Sequence, residues 1–308
     1  MTEIVRYERG TVALGSQAIA IGVFDGVHLG HQALIADTIS AATNRGIGSC
    51  VMTFDRDPEC VVCPDHAARQ LLLPDDKIAT LAGLGPDTIL VIPFDEHLAA
   101  LSPEEFLGGV LLDALDPQVI VVGADFRFGA RAAGTVETLR AFAGPRGATV
   151  VAHELIAADG ATVTATRIRA LIAEGDVVEA ARLLGRPHRL SGTVVRGRGI
   201  GVTIGVPTAN LDHDPCCAVP APGVYAARVE LGGVVYRAAV TTGAAPTFPG
   251  AGPVVEVHLI GYTGDLYGSQ LTVQFIERLR DQRRFDSVEE LQTAIHRDLE
   301  RIEHGRLV

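Results

Sequence analysis

No apolar run in the 308 residues approaches the roughly 20 that a membrane-spanning helix needs. The opening stretch, Met1 to Gly10, is charged and has no apolar signal region, so export is not expected. Also missing is any long basic cluster, and the net charge is −11. Binding along a nucleic-acid backbone needs a concentrated positive face, so DNA and RNA are excluded as expected partners. A small nucleotide remains compatible, because a local pocket on an acidic protein can still be positive or cation-assisted. Cysteine is sparse: Cys50, Cys60, Cys63, Cys216 and Cys217 are an odd number in a chain with no export signal. A disulfide framework is therefore not expected, and the cytoplasm is the natural compartment. Neither G-x-x-x-x-G-K-[ST] nor G-x-G-x-x-G occurs, which excludes ordinary P-loop chemistry.

What is present has the composition of a globular protein, 47% hydrophobic and 20% charged, at a length that suggests about two domains. In the first half, short apolar runs at Ala18 to Val23, Ser49 to Phe54, Thr88 to Ile92, Val119 to Val122 and Ala148 to Ala152 read as buried strands. Helical spacing at His31 to Asn44, Pro103 to Leu115 and Thr135 to Ala143 separates them. Strand and helix in alternation predict a parallel sheet covered on both faces, with ligands beyond the carboxyl ends of the strands. Two short helices, Thr166 to Ala173 and Asp176 to Leu184, precede the punctuating Gly185-Arg186-Pro187.

After that the texture changes to short strands at Leu190 to Val195, Val224 to Leu231, Val234 to Thr242, Val254 to Ile260 and Gln270 to Ile276, a small antiparallel barrel or sandwich. A capping box of Ser287 and Glu290 opens a last helix, whose stripe is Val288, Leu291, Ile295, Leu299 and Ile302. The domains expected are 1–185, α/β and Rossmann-like, and 186–308, an antiparallel barrel ending in a helix.

The strongest chemical feature is Gly22-Val23-Phe24-Asp25-Gly26-Val27-His28-Leu29-Gly30-His31, between a strand and a helix. The glycines allow a tight turn and close approach of a ligand. His28 and His31, three apart, can point the same way at a helix start that itself favours anions. Two imidazole donors there suit transfer at the ATP α-phosphorus, where charge builds on non-bridging oxygens. An isolated H-x-x-H also suits a surface pair or half of a metal site; the strand, glycines and helix around this one favour phosphate chemistry.

The second constellation begins with Gly197-Arg198-Gly199-Ile200-Gly201, a phosphate loop or a hairpin turn. It is followed by Pro207-Thr208-Ala209-Asn210, where Thr208 and Asn210 offer oxygens for Mg²⁺ or simply shape a turn. Glu256 is the single carboxylate in Val254-Val255-Glu256-Val257-His258-Leu259. It is either solvent-facing or a base for a weak hydroxyl nucleophile. Cys60-x-x-Cys63-x-x-His66 is one cluster without a second ligand pair, which argues against structural zinc.

G-x-F-D-G-x-H-x-G-H resembles the signature of the nucleotidyltransferase superfamily, and specifically of the prokaryotic bifunctional riboflavin kinase/FAD synthetases. Three more segments resemble that family in order: Val121 to Gly129, Thr164-Ala165-Thr166-Arg167-Ile168-Arg169, and Gly205-Val206-Pro207-Thr208-Ala209-Asn210. The resemblance implies an FMN adenylyltransferase domain followed by a riboflavin kinase domain, with riboflavin, FMN and ATP as small-molecule substrates and Mg²⁺ as the cation. It implies His28 and His31 on ATP phosphates, with Gly22, Phe24, Asp25, Gly26, Thr166 and Arg169 in the same nucleotide site. Asp125, Phe126 and Phe128 would lie along the flavin. In the kinase half, Gly201, Thr208 and Asn210 would bind nucleotide phosphates, Thr208 and Asn210 would hold the metal, and Glu256 would be the catalytic base.

Several positions depart from the family pattern. Its usual P-H-P reads Arg56-Asp57-Pro58, the second serine of S-S-T is Ala165, and the phenylalanine of G-F-P-T-A-N is Val206. Its G-T-[RN]-P-T-F reads Gly243-Ala244-Ala245-Pro246-Thr247-Phe248, which loses two polar side chains together. A FAD synthetase with a silent kinase half, a paralogue with altered flavin or nucleotide preference, a transferase with a non-flavin acceptor, and a non-catalytic flavin-binding regulator are the alternatives these leave open.

Overall fold

A computed structural model of the chain describes residues 1–10, 14–154, 156–197, 201, 205–243 and 254–305. The chain divides into two compact units, Met1–Thr164 and Ala165–Val308.

The first unit is built on β1 (Glu3–Arg6), β2 (Ser16–Ile21), β3 (Gly48–Phe54), β4 (Thr88–Ile92), β5 (Asp116–Gly123) and β6 (Thr149–His153). These pair in the order β1-β4-β3-β2-β5-β6, every neighbour parallel, and a short antiparallel pair, β7 (Ala157–Ala158) and β8 (Ala161–Thr162), follows. A parallel sheet is stable only with both faces covered, and alternate residues serve the two layers. Ile19, Ile21, Met52, Leu90, Ile120 and Val122 meet one layer, which includes Leu107, Leu111 and Leu139. On the other side, Ala18, Ala20, Val51, Ile89, Val119 and Val121 meet the helices Leu29–Arg45 and Pro74–Ala82. The alanines of β2 let Leu29–Arg45 lie directly on the centre of the sheet.

The polar edge strand β1 is absent from the sequence reading because Glu-Ile-Val-Arg has no apolar run. The helix expected over Pro103 to Leu115 is broken: α-helical at Pro103–Phe106, π-helical at Leu107–Leu111 and α-helical again at Leu112–Ala114. The π turn contains Gly108-Gly109, a pair that offers the weakest helical preference in the segment.

In the second unit, β9 (His188–Val195), β10 (Ala209–His213), β11 (Gly223–Leu231), β12 (Val234–Gly243), β13 (Val254–Leu259) and β14 (Gln270–Arg280) close into an antiparallel barrel ordered β10-β13-β12-β11-β14-β9. Strand β10 is not marked in the sequence, where Pro207-Thr208-Ala209-Asn210 carries turn residues at its start; pairing with β9 and β13 overrides that local preference from Ala209 on. The helices Ala165–Glu174 and Val177–Leu184 belong to this unit, the second packing on β9 and β14. The break between units therefore falls some twenty residues before the composition change at 185/186.

The last helix, Val288–His304, packs on β12. Its cap is half a box: the Ser287 hydroxyl accepts from the Glu290 amide, while the Glu290 carboxylate turns to Arg283 and the Asp286 amide. Val288 is exposed, Leu291, Ile295 and Leu299 are half-buried, and Ile302 alone of the stripe is fully buried. The segment Arg280 to Phe285, which precedes this helix and is rich in arginine, anchors it. Arg280 pairs with Asp298 at 2.8 Å, and Phe285 is buried with Arg280 and Arg283 over its ring.

Candidate active sites

In the first unit the strand order reverses between β2 and β5, and the loops after these two strands flank the crevice where open parallel sheets bind ligands. The loop after β2 is the histidine turn. Gly22 still donates its amide to the Met52 carbonyl, and the chain then leaves the sheet, two residues earlier than the apolar run suggests. Phe24 (φ 56°), Gly26 (φ 71°) and Val27 (φ 42°) all take left-handed backbone, which for Phe and a β-branched Val is strained. Strain of this kind persists only when neighbours over-determine it. Here Phe24 is buried, and the Asp25 carboxylate accepts from the amides of Leu71 and Leu72 at 3.0–3.2 Å. An acid so engaged supports the turn and offers no donor to a phosphate.

His28 caps the helix Leu29–Arg45, its Nδ1 accepting from the His31 amide at 3.4 Å. In the neutral ring that bond puts the proton on Nε2, leaving it as a donor. The two imidazoles stack with centroids 3.6 Å apart, and Phe24 meets His31 edge-on. Burial, then His28 and the Lys77 ammonium, hold His31 well below the ordinary histidine value, so its ring is neutral at pH 7.

Beside this turn is a cavity of ≈ 940 Å³ whose wall includes Gly22, Val23, Phe54, Phe94, Phe126 and Phe128. Phe126 and Phe128 stack at 5.4 Å, and Phe54 and Phe94 meet edge-to-face at 5.2 Å. A largely apolar, aromatic-walled space of this size suits a flat conjugated ring. Asp125 is exposed and does not line it. Phe54 and Phe94 also line the cavity, though in the sequence they read only as strand-end and loop residues, and so does Pro58 of the Arg56-Asp57-Pro58 segment. Lys77, buried on the helix Pro74–Ala82, was also passed over; its one signal is its place four residues before the core residue Leu81. Thr166 is exposed and Arg169 half-buried, both near the start of the helix Ala165–Glu174, which belongs to the second unit.

The barrel brings its candidates together. Asn210 on β10 is the register partner of Glu256 on β13, and Glu256 is in turn the partner of Thr241 on β12. Val255, Val257 and Leu259 point into the barrel, so Glu256, with Asn210 and Thr241, faces the other way, half-buried. Thr208 lies against Gly201, where a Cβ would be 2.9 Å from its hydroxyl, and Asn210 lies against Gly197, where a side chain would collide with its amide. A side chain at 197 would thus collide with Asn210, and one at 201 would first meet the Val206 carbonyl and then the Thr208 hydroxyl. His258 Nδ1 bonds the Pro207 carbonyl at 2.7 Å, tying β13 to the same loop. Arg198, Gly199 and Ile200, and Ala244 through Phe248, lie outside the described residues. Thr208 and Asn210 each carry a side-chain oxygen, the hard donor that Mg²⁺ takes, and no cluster of three or more His, Cys, Asp or Glu suited to a metal occurs among the described residues. That is the sparse protein contribution expected where substrate phosphates supply further ligands.

The FAD synthetase family matches residues 12–167 and the riboflavin kinase family residues 184–305. A bifunctional riboflavin kinase/FMN adenylyltransferase of Pseudomonas fluorescens is 39% identical over 94% of this chain and 91% of its own length. The protein of the same name from Bacillus subtilis is 35% identical over 91% of this chain and 89% of its own length. Among solved structures, one described as a macrolide-efflux protein from Streptococcus pneumoniae matches with a TM-score of 0.87 and 31% identity, covering 98% of this chain and 99% of that one. Among the described residues, no helix is long and apolar enough to cross a membrane. Two adjoining family matches, and relatives that align along nearly the whole length, place this chain in the bifunctional riboflavin kinase/FMN adenylyltransferase family.

Proposed function

We propose that this chain makes FAD from riboflavin in two ATP-dependent steps, phosphorylating riboflavin to FMN in the barrel and adenylylating FMN in the first unit. The observation that carries the reading is the stacked His28–His31 pair at the strand-order reversal, beside an aromatic-walled cavity. An FMN phosphate oxygen attacks the ATP α-phosphorus, the bond to the β-phosphate oxygen breaks, and pyrophosphate leaves. The nucleophile is already an anion, so no base is needed. The imidazole N–H donors stabilise charge on the non-bridging oxygens, and Phe126 and Phe128 hold the flavin ring. Thr166 and Arg169 are assigned to the nucleotide phosphates of this step, and Asp125 to the flavin's edge.

In the barrel, Glu256 takes the proton of the riboflavin terminal hydroxyl as that oxygen attacks the γ-phosphorus and ADP leaves. Thr208 and Asn210 would hold Mg²⁺, which supplies charge neutralisation on the ATP phosphates. Gly201 allows the loop to approach them. The free thiols of all five cysteines fit a reducing compartment, and the cytoplasm is the setting we infer.

The test is a pair of chromatographic assays with ATP and Mg²⁺, one started from riboflavin and one from FMN. FMN and FAD from riboflavin are expected. FAD from FMN alone would leave a FAD synthetase with a silent barrel, and no product in either would overturn the reading.

A further inference from the structure

We propose that Lys77 is a positioning residue for adenylyl transfer: its ammonium group ties the carbonyls of Val23 and Phe54 together, and so fixes the turn that presents His28 and His31. The proposal rests on the adenylyltransferase reading of the first unit.

Lysine is among the residues least often fully buried, yet Lys77 is 5% exposed. Its Nζ donates to the Phe54 carbonyl at 2.9 Å and to the Val23 carbonyl at 3.1 Å. The Val23 carbonyl also accepts from the buried Thr53 hydroxyl at 3.1 Å. Phe54 ends β3, and Val23 stands just past the end of β2. One ammonium therefore clamps the carboxyl ends of two neighbouring strands, where the chain leaves the sheet for the strained turn. Both clamped residues also line the aromatic cavity. A group that holds the cavity wall and the histidine turn at once sets the distance between the two.

Packing alone does not require this residue. A methionine of similar length would fill the space, but it would leave Phe54 O without this donor and Val23 O with one fewer. The ammonium also acts on charge. Around it stand Asp25 of the turn and Asp55 and Asp57 after β3, whose attraction opposes the burial that lowers its pKa. His31, facing it from the helix Leu29–Arg45, is pushed toward the neutral form by Lys77 as well as by burial and His28. A neutral imidazole keeps a defined N–H donor for the phosphate and avoids protonation between pH 6 and 7, at roughly the ordinary histidine value.

Lys77→Met and Lys77→Arg separate these roles. In K77M the kcat for FAD formation from FMN is expected to fall about 10- to 100-fold, the size of effect that small misplacements of reacting groups produce. Riboflavin phosphorylation by the same preparation stays at its wild-type rate. The acid limb of the adenylylation profile moves to higher pH, because His31 loses a positive neighbour. K77R restores both the rate and the limb.

An NMR titration of the His31 Cε1–H reads the same coupling without turnover, with a higher midpoint expected in K77M than in wild type. An unmoved midpoint, or a wild-type kcat with an unshifted limb in K77M, would overturn the proposal. So would equal loss of both activities that Lys77→Arg does not rescue, since Lys77 would then be a packing residue. A wild-type protein that makes no FAD from FMN overturns the functional reading instead, and the titration still decides the coupling.

Discussion

Asn210 and Glu256 sit opposite each other across β10 and β13, on the outward face of the barrel wall. An amide and a carboxylate forty-six residues apart thereby share one spot, next to Thr241 on the third strand. Glu256→Gln keeps the length and shape of the proposed base, exchanges one acceptor oxygen for an amide donor, and cannot take a proton. Riboflavin phosphorylation should fall by about 10²- to 10⁴-fold. FAD formation from FMN should be unchanged, and chromatographic assay of both reactions on one preparation checks this.

The converse split is expected at the histidine turn. His28→Ala removes a cap as well as an imidazole donor, so FAD formation should drop by about 10²- to 10³-fold. The helix Leu29–Arg45 loses about 1 kcal/mol of capping. Riboflavin phosphorylation should persist, and a thermal melt separates the small stability effect from the large kinetic one.

Phe126 stacks on Phe128 in the cavity wall and is itself only half-buried. Phe126→Ala should raise the KM for FMN about 5- to 10-fold, the worth of roughly 1 kcal/mol of aromatic contact. The KM for ATP should move little. Initial-rate measurements with each substrate varied in turn would show it.

The second unit carries a pH dependence of its own. His188 is fully enclosed, and its Nε2–H donates to the Ala218 carbonyl at 2.8 Å. Burial, with Arg186 adding to it, lowers its pKa from 6.5 to about 4. Below pH 6.5 the unfolded chain binds this proton and the folded one does not. Stability is therefore complete above about 6.5 and is lost as the pH falls toward 4, by about 3 kcal/mol in all. Urea unfolding at pH 7.5, 6, 5 and 4.5 (roughly the spanning range) should show the decline, and His188→Gln should flatten it.

Sequence made the layered sheet, the barrel and both clusters legible because each rests on a local pattern: apolar runs of strand length, glycines beside a strand end, a helix start. The parts that escaped it are set by pairing at a distance. Strand β10 exists because β9 and β13 supply partners, whatever the turn preference of Pro207 to Asn210. Lys77 looks like any helical surface lysine until the carbonyls of Val23 and Phe54 are seen around it. Asp25, expected in the phosphate site, accepts from the amides of Leu71 and Leu72, a structural task the motif does not announce. The motif pattern marks that a residue belongs to the loop, and only contacts divide the members that face a ligand from those that hold the loop in shape.

Ala18 and Ala20 put the smallest side chains of the sheet beneath the helix that carries the histidines at its start. The height of the His28–His31 pair above the strands is thus governed from below, by volume at two positions buried under the helix. A single added methyl or two at Ala20 would lift the helix and the imidazoles with it. Selection, natural or in the laboratory, could thereby retune the space between the histidines and the aromatic wall without altering any residue that lines it.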